Sequence, residues 1–577
     1  MSLRWIEDNP PSANFSFWTR ANVGEVLPEP PSPLGWDIVW ETGTLLGWRD
    51  CAINRLGFAD EELSQTRPEV SGLFGGYAYL NASLNRVFGY RAPGMTASTV
   101  DDIYFGDHPD VPPVVIGDWW DSSRATAELE GWMGWALTTT EQPDLEHDRE
   151  VAEAGRADRP DFSAMSNSEL IAFATSHIPT IRRMFDQHIN QSACATIGPG
   201  IIAAVADAVG DPTLTLKIIG AVGDVDSAAP SYAMWDLSRV VANSPALATA
   251  FDEGVAGLIA RLHQLDDPDA TSFLSGLDDF MFRFGSRGPN EWDLHAHVWE
   301  TKPELVLSAI HRMRFAGNDE SPERRHADRQ HERDAIVAHL TEALAGDPEA
   351  QGQFLAGVAS AARFVPGRER SKTSIIKVIH ECRLAVWELG RRLVEEGGAD
   401  EPRDICMLFQ DEIEHGLDDP SWARQTIADR QAHFDHLQTL EPPFIFDGEC
   451  PPVDTWPRKG VNTVEVLSAG GTVQGVPGSS GTYRGTARIV LDPGDPSALD
   501  PGDVLVAPHT DPAWTPLFVT AGAVVVDVGA TLSHAIIVSR ELGLPCVVSA
   551  TDATRMIPDG ALVEVDGNTG LVTVIEI

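Results

Sequence analysis

The sequence predicts a multidomain protein in which a mostly α-helical domain is followed by a small α/β domain. Three observations predict it. The chain has 577 residues, several times the roughly 150 of an average domain. From about residue 122 to 440 it runs in amphipathic stretches with helix start and stop residues. After about 470 the texture changes to short β-branched runs set off by Gly, Pro and Asp, which is the pattern of strands.

Taken in order, residues 1 to about 120 are rich in Pro, Gly and aromatics, as in ANVGEVLPEPPSPLGWDIVW and GLFGGYAYLN. They read as loops and short elements with few long helices. Helices are predicted at SNSELIAFATSHIPTIRRMF, whose leading Ser opens an amphipathic pattern, at SYAMWDLSRVVA and at ERDAIVAHLTEALAG. A further one, IIKVIHECRLAVWELGRRLVEEGG, stops at Gly397 and Gly398. LEPPFIFDGECPPVDTWPRKG is a Pro-rich break. The expected division is therefore a helical domain at 1–440, a linker or hinge at 441–470, and an α/β domain at 471–577. In the last part GTYRGTARIVL, DVLVAPHT, AVVVDVG, PCVVSAT and ALVEVDG read as strands, with one helix from about Ser533 to Leu542.

Charge and cysteine content exclude several classes. Lys and Arg number 42 against 86 Asp and Glu, a formal net charge of −44. Nucleic acids and anionic membranes are bound by basic surfaces, so neither is an expected partner. Six scattered cysteines lack metal-site spacing and read as reduced thiols, and no metal site is expected. The opening MSLRWIEDNPPSANF lacks the apolar stretch of a signal peptide, and no apolar run reaches the ~18 residues of a membrane span. A cytoplasmic location is the expectation.

The stretch GATLSHAIIVSRELGLPCVV, residues 529–548, places a histidine where a helix begins. A buried strand ends at Gly529 and Ser533 is the expected N-cap. His534 falls in the first turn, and Gly543 with Pro545 ends the helix. Free backbone N–H groups and the positive end of the helix dipole favour an anion there. Thr531 and Ser533 carry hydroxyls suited to phosphate oxygens. A neutral imidazole is a competent nucleophile near pH 7. Arg540, six residues on, faces another way and is expected to serve a phosphate on a docked partner.

This stretch resembles the phosphohistidine motif of the swivelling domain of phosphoenolpyruvate-utilising enzymes. Thr531, Ser533, His534, Ala535, Arg540, Glu541, Gly543 and Pro545 fall on the pattern. VPGSSGTYRGTARIV and PGDVLVAPHTDPAWTPLF resemble the same domain. ANVGEVLPEPPSPLGWDIVW, GSRGPNEWDLHAHVWE and ELGRRLVEEGGADEPRDICMLFQDEI look like the acceptor-binding domain of rifampicin-phosphotransferase-like proteins. The resemblance implies that His534 carries phosphate. Too few residues follow His534 for the barrel of roughly 250 residues that the phosphoenolpyruvate branch places there. The acceptor-domain pattern begins near residue 21, which leaves no room for an ATP-grasp domain ahead of it, and no GxxxxGK[ST] loop is present. The implied protein is an acceptor-binding and phosphohistidine-carrier subunit of a two-component phosphotransferase. It holds no cofactor itself, and a separate ATP-grasp subunit brings Mg-ATP.

For the acceptor, RFGSRGPNEWDLHAHVWE crowds charges and imidazoles. Arg287 is a candidate for pairing with incoming phosphate, and Glu291, Asp293, His295 or His297 for taking a hydroxyl proton. Trp36 is a candidate for stacking on an aromatic acceptor. By analogy with family members the acceptor is a small hydroxylated aromatic compound. A rifamycin-type acceptor and a non-catalytic binding or regulatory protein of this descent are the alternatives.

Overall fold

Where apolar and charged residues recur at helical spacing, helices form. The computed structural model describes residues 3–12, 14–106, 108, 110–223, 225–317, 321–460, 464–493, 499–511, 514–529 and 533–577. The chain divides into two units. The first comprises Met1–Ala193, Asn290–Ala296 and Arg370–Thr463. The second comprises Cys194–Pro289, His297–Glu369 and Val464–Ile577.

In the first unit helices span Ser123–Thr138, Pro143–Ala157, Asn167–Ser176 and Pro420–Gln438. The expected serine cap is Ser166, whose hydroxyl accepts from Glu169 N–H while the Glu169 carboxylate accepts from Ser166 N–H. That reciprocal pair satisfies two donors that the first turn leaves open. The first 120 residues hold more helix than expected, at Leu45–Asn54, Ala82–Arg91 and Ala97–Phe105. These helices are short, and the side chains of Asn81 and Thr96 cap the last two, a signal easily lost among Gly and Pro. A small antiparallel sheet joins β1 (Phe17–Thr19), β2 (Ser71–Phe74), β3 (Tyr77–Asn81) and β4 (Ile445–Asp447) in the order β2-β3-β1-β4. Trp18 sits between Asn81 and Phe446 in its register.

That sheet corrects the reading of 441–470 as a linker. β4 lies in it, and Phe446, Leu440 and Trp456 bury against Trp18, Phe74, Tyr77 and Tyr79. The prolines interrupt helix without releasing the chain, because the aromatics between them have a core to enter. The change of unit falls at 463/464.

The second unit combines helices Ala229–Asn243, Pro268–Phe284, Glu304–Met313 and Pro322–Ala343 with an eight-stranded sheet. Its strands are β5 (Thr472–Gln474), β6 (Val476–Ser479), β7 (Thr482–Ile489), β8 (Val504–Ala507), β9 (Ala523–Val526), β10 (Cys546–Val548), β11 (Leu562–Asp566) and β12 (Leu571–Glu576). Their order is β5-β12-β11-β7-β8-β9-β10-β6, with β7, β8, β9 and β10 parallel. The central strands are buried on both faces, as covered parallel strands are. The expectation of a self-contained domain at 471–577 changes accordingly. Val524, Val538 and Leu542 share one apolar core with Met234, Phe273, Val306 and Ile310.

By length and composition, Asn167–Ala208 is apolar enough to cross a membrane, contrary to the expectation that no such stretch exists. Ser, Thr, His and Gly dilute the run by eye. Leu170, Ala174, Ile181, Met184, Cys194 and Ile202 along it are buried in the protein. All six cysteines are free thiols.

Candidate functional site

Parallel strands that end together present their carboxyl ends along one edge, and in open α/β sheets that edge is where ligands bind. β8 ends at Ala507, β9 at Val526 and β10 at Val548. The chain leaving β9 is held on two sides. Asp527 and Val528 donate their backbone N–H groups to Ala507 and Pro508, each at 3.0 Å, and the Gly529 carbonyl accepts from the Ser549 hydroxyl. Residues 530–532 lie outside the described residues, and Thr531 with them.

The helix begins at His534 and runs to Leu542, with every residue buried. Gly543 closes it in the left-handed conformation at φ 68, and Leu544 N–H reaches back to the Ser539 carbonyl at 2.8 Å. Ser533 occupies the N-cap in extended conformation, as expected. Its side chain makes no cap hydrogen bond, however, and its hydroxyl oxygen is buried without a partner among the described residues.

His534 is 7% exposed. Its Nδ1 stands 3.2 Å from the Thr510 hydroxyl and its Nε2 3.1 Å from the Thr515 hydroxyl. Phe518 meets the ring edge-on at 5.8 Å. A hydroxyl donates or accepts as its hydrogen rotates, so this pair accommodates either neutral tautomer. Thr510 and Thr515 were missed as site residues. The run HTDPAWTP drew notice as part of a resembling segment, but no spacing rule ties it to a histidine 19 and 24 residues later.

Asp527 was missed as well. Its carboxylate accepts from the Thr554 N–H at 2.9 Å and from the Thr554 hydroxyl. Burial pushes its carboxyl up to about 7, against those two hydrogen bonds. Arg540 is buried, and its Nε donates to the Gly478 carbonyl at 2.8 Å. It is thus packed inside its own unit and not displayed to a partner. Burial lowers its guanidinium to about 10.

The acceptor candidates divide between the units. In the first, Asp293 is buried and accepts from Ser32 N–H at 2.6 Å, Ser32 Oγ at 2.5 Å and His295 N–H at 2.9 Å. Burial raises its carboxyl despite these bonds. Those contacts tie residues 290–296 to residues 32–35, and a Cβ on Gly35 would lie 2.7 Å from Asp293 Oδ1. Asp293 therefore holds a loop, which differs from the general-base role expected for it. Arg383 adds to the hold by donating to the carbonyls of Glu291 and Asp293 at 2.6 and 2.9 Å. Glu291 is buried with its carboxylate 3.7 Å from Lys372 Nζ. His295 packs edge-on against Phe434, and Trp36 stacks on Trp40. In the second unit Arg287 is buried and its carbonyl accepts from Trp299 N–H, while His297 Nδ1 lies 3.5 Å from the Thr301 hydroxyl. Among the described residues no group of three or more His, Cys, Asp or Glu is placed to hold a metal ion.

Comparison with known proteins matches residues 499–570 to the mobile domain of phosphoenolpyruvate-utilising enzymes and residues 187–369 to the fourth domain of rifampicin phosphotransferase. Those two segments are similar to domains of rifampicin-phosphotransferase-like members of the phosphoenolpyruvate-utilising family. Ser533, His534 and Arg540 fall in the first match, and Arg287, Glu291, Asp293, His295 and His297 in the second. An uncharacterised protein of Mycobacterium tuberculosis is 41% identical over 217 residues, 38% of this chain and 24% of that protein. Rifampicin phosphotransferase of Streptomyces sviceus is 28% identical over 375 residues, 63% of this chain and 41% of that protein. Prodigiosin synthesizing transferase PigC of Serratia marcescens is 23% identical over 604 residues, covering 98% of this chain and 64% of that protein. The chain thus spans between a quarter and about two thirds of the length of these relatives.

Proposed function

We propose that this chain carries a phosphoryl group on His534 and passes it to a hydroxyl, as the carrier and acceptor component of an ATP-dependent phosphotransferase. One observation carries the reading. Within the mobile-domain match, the His534 ring is gripped by a hydroxyl at each nitrogen, at the start of a buried helix whose cap hydroxyl, Ser533, has no partner among the described residues.

The chemistry follows from those groups. Thr510 accepts the Nδ1–H and so turns the Nε2 lone pair outward as the nucleophile. Attack at phosphorus forms the Nε2–P bond, and the leaving oxygen departs with the bonding pair. The Thr515 hydroxyl, released from Nε2, is then beside the new phosphoryl oxygens. Ser533 and the open N–H groups of the first turn stabilise the same anion. In the second step the acceptor oxygen bonds to phosphorus and the P–N bond breaks. Its electron pair returns to the imidazole, and the hydroxyl proton leaves to a base. Glu291 remains a candidate base; His295, His297 and Arg287 remain candidates for acceptor contact.

In this reading a separate ATP-grasp protein supplies the phosphoryl group, ATP leaves as AMP and inorganic phosphate, and the acceptor is a small aromatic hydroxyl. No step is routed through a nucleotide or metal on this chain. The names of its relatives, a rifampicin phosphotransferase and a prodigiosin synthesizing transferase, support group transfer as the class of reaction. A cytoplasmic setting accords with it.

The test is acid-labile, base-stable label after incubation with ATP labelled at the β position, with and without an ATP-grasp protein from the same source. Label on the wild-type chain that requires the second protein and vanishes in His534→Ala supports the reading. No label under either condition, with both proteins folded, overturns it.

A further inference from the structure

The first unit contains an aromatic cluster that the steps above leave unused. Trp36–Thr44 is wound as a π-helix, closed by Leu45 N–H on the Trp40 carbonyl. Such turns are rare and concentrate at functional sites, because the extra residue per turn re-aims side chains. Trp36 and Trp40 stack within 8° of parallel at 6.2 Å. Trp40 meets Trp292 at 5.8 Å, and Trp292 meets Phe185 edge-on at 5.8 Å and His188 at 6.2 Å.

Trp40 and Trp292 are each 2% exposed, yet neither indole N–H has a hydrogen-bond partner among the described residues. Buried indole donors are normally paired, so two in one cluster point to an acceptor atom that the described residues do not supply. Polar groups adjoin the rings. Glu291, next to Trp292 in sequence, lies 3.7 Å from Lys372 Nζ, and His188 Nδ1 lies 3.0 Å from the Ser371 hydroxyl. The cluster reaches towards solvent at half-buried Trp48, 6.2 Å from Phe185, and at Lys372, whose side chain is 13% exposed.

We infer that this cluster is a binding site for a small aromatic molecule bearing a ring hydroxyl or its oxyanion. Flat rings are matched by indole and phenyl walls. The indole donors require an oxygen, and the Lys372 ammonium favours one that is negative. A hydrocarbon would leave the N–H groups unpaired, and an aliphatic alcohol would leave the ring walls poorly filled. As an acceptor site the cluster rests on the phosphotransfer reading above; as a binding site it stands alone.

The test is calorimetric titration of the full chain with phenol, 4-methylphenol, cyclohexanol and toluene. The phenols are expected to bind at least tenfold more tightly than the other two. Trp40→Phe and Trp292→Phe each keep a ring and remove one donor, and each is expected to weaken phenol binding about three- to tenfold, the range for one hydrogen bond. No phenol binding, equal binding of toluene, or unchanged binding in both folded variants overturns the inference. Phenol binding to a chain whose His534 never takes label would support the site and overturn the carrier reading; label without phenol binding would do the reverse.

Discussion

Replacing Asp527 by Asn should make the second unit's stability respond differently to pH. The Asp527 carboxyl is buried at the end of β9 and raised from the ordinary 3.8 to about 7. A carboxyl raised in this way disfavours folding once the unfolded chain ionises. The penalty is absent below about 3.8, grows as pH rises towards 7, and is constant above that. At pH 5 little more than one pH unit of the gap is expressed, and at pH 8 about three. The two-unit difference corresponds to about 3 kcal/mol, on the order of a hundredfold in an opening equilibrium. Asn keeps an acceptor for Thr554 N–H and cannot ionise. Hydrogen exchange of the β9 and β10 amides reports the opening, and the ratio of variant to wild type at one pH cancels the intrinsic exchange rate. Asp527→Asn should gain about a hundredfold in relative protection between pH 5 and pH 8. Any fixed cost of the amide cancels between the two values. A ratio that does not change with pH would refute the argument.

Other consequences are open to simpler measurements. Thr515→Val removes one of the hydroxyls on His534 and should slow labelling about two- to tenfold without preventing folding, as checked by quench kinetics. Gly390→Ala would put a Cβ 1.8 Å from the Pro402 carbonyl oxygen and should cost roughly 1–3 kcal/mol or more in denaturant unfolding. Gly131→Ala, with open space around it inside the Ser123–Thr138 helix, should instead gain roughly 0.5–1 kcal/mol. His326 Nδ1 lies 3.2 Å from the Glu541 carboxylate, and that pairing raises its imidazole. The pair's contribution is fully present below about pH 6.5 and is lost as pH rises through the raised value. Glu541→Gln should therefore flatten thermal stability between pH 5.5 and 8.5.

What the sequence revealed follows the range over which each signal acts. The helix from His534 to Gly543 was legible because its cap position, apolar face and stop all lie within eleven residues. The strands from β7 to β11 were legible as β-branched runs between turn residues. β5, β6 and the short Thr515–Thr520 helix were not, since short elements make few local contacts and owe their form to neighbours, and β12 went unread although it is longer than β11. The site was half visible. His534 announces itself, while Thr510, Thr515 and Asp527 matter through positions that the sheet brings together. The acceptor region misled at Asp293, where an acidic residue in a polar run proved to be a fastening for Ser32. Trp40, Trp292 and His188 are far apart in the chain, so no window of sequence shows them as neighbours.

The small exposure of His534 bears on time as well as on chemistry. A phosphorus–nitrogen bond is lost to water at a rate set by how often water arrives in line with it. Walls formed by Phe518 and two threonine hydroxyls admit few such approaches. On the proposed carrier reading, a loaded histidine in this setting would keep its cargo between encounters, and the interval a cell can leave between loading and delivery would lengthen accordingly. On that reading the same enclosure would set the pace of loading, because the donor's phosphate would have to enter through whatever opening the protein provides.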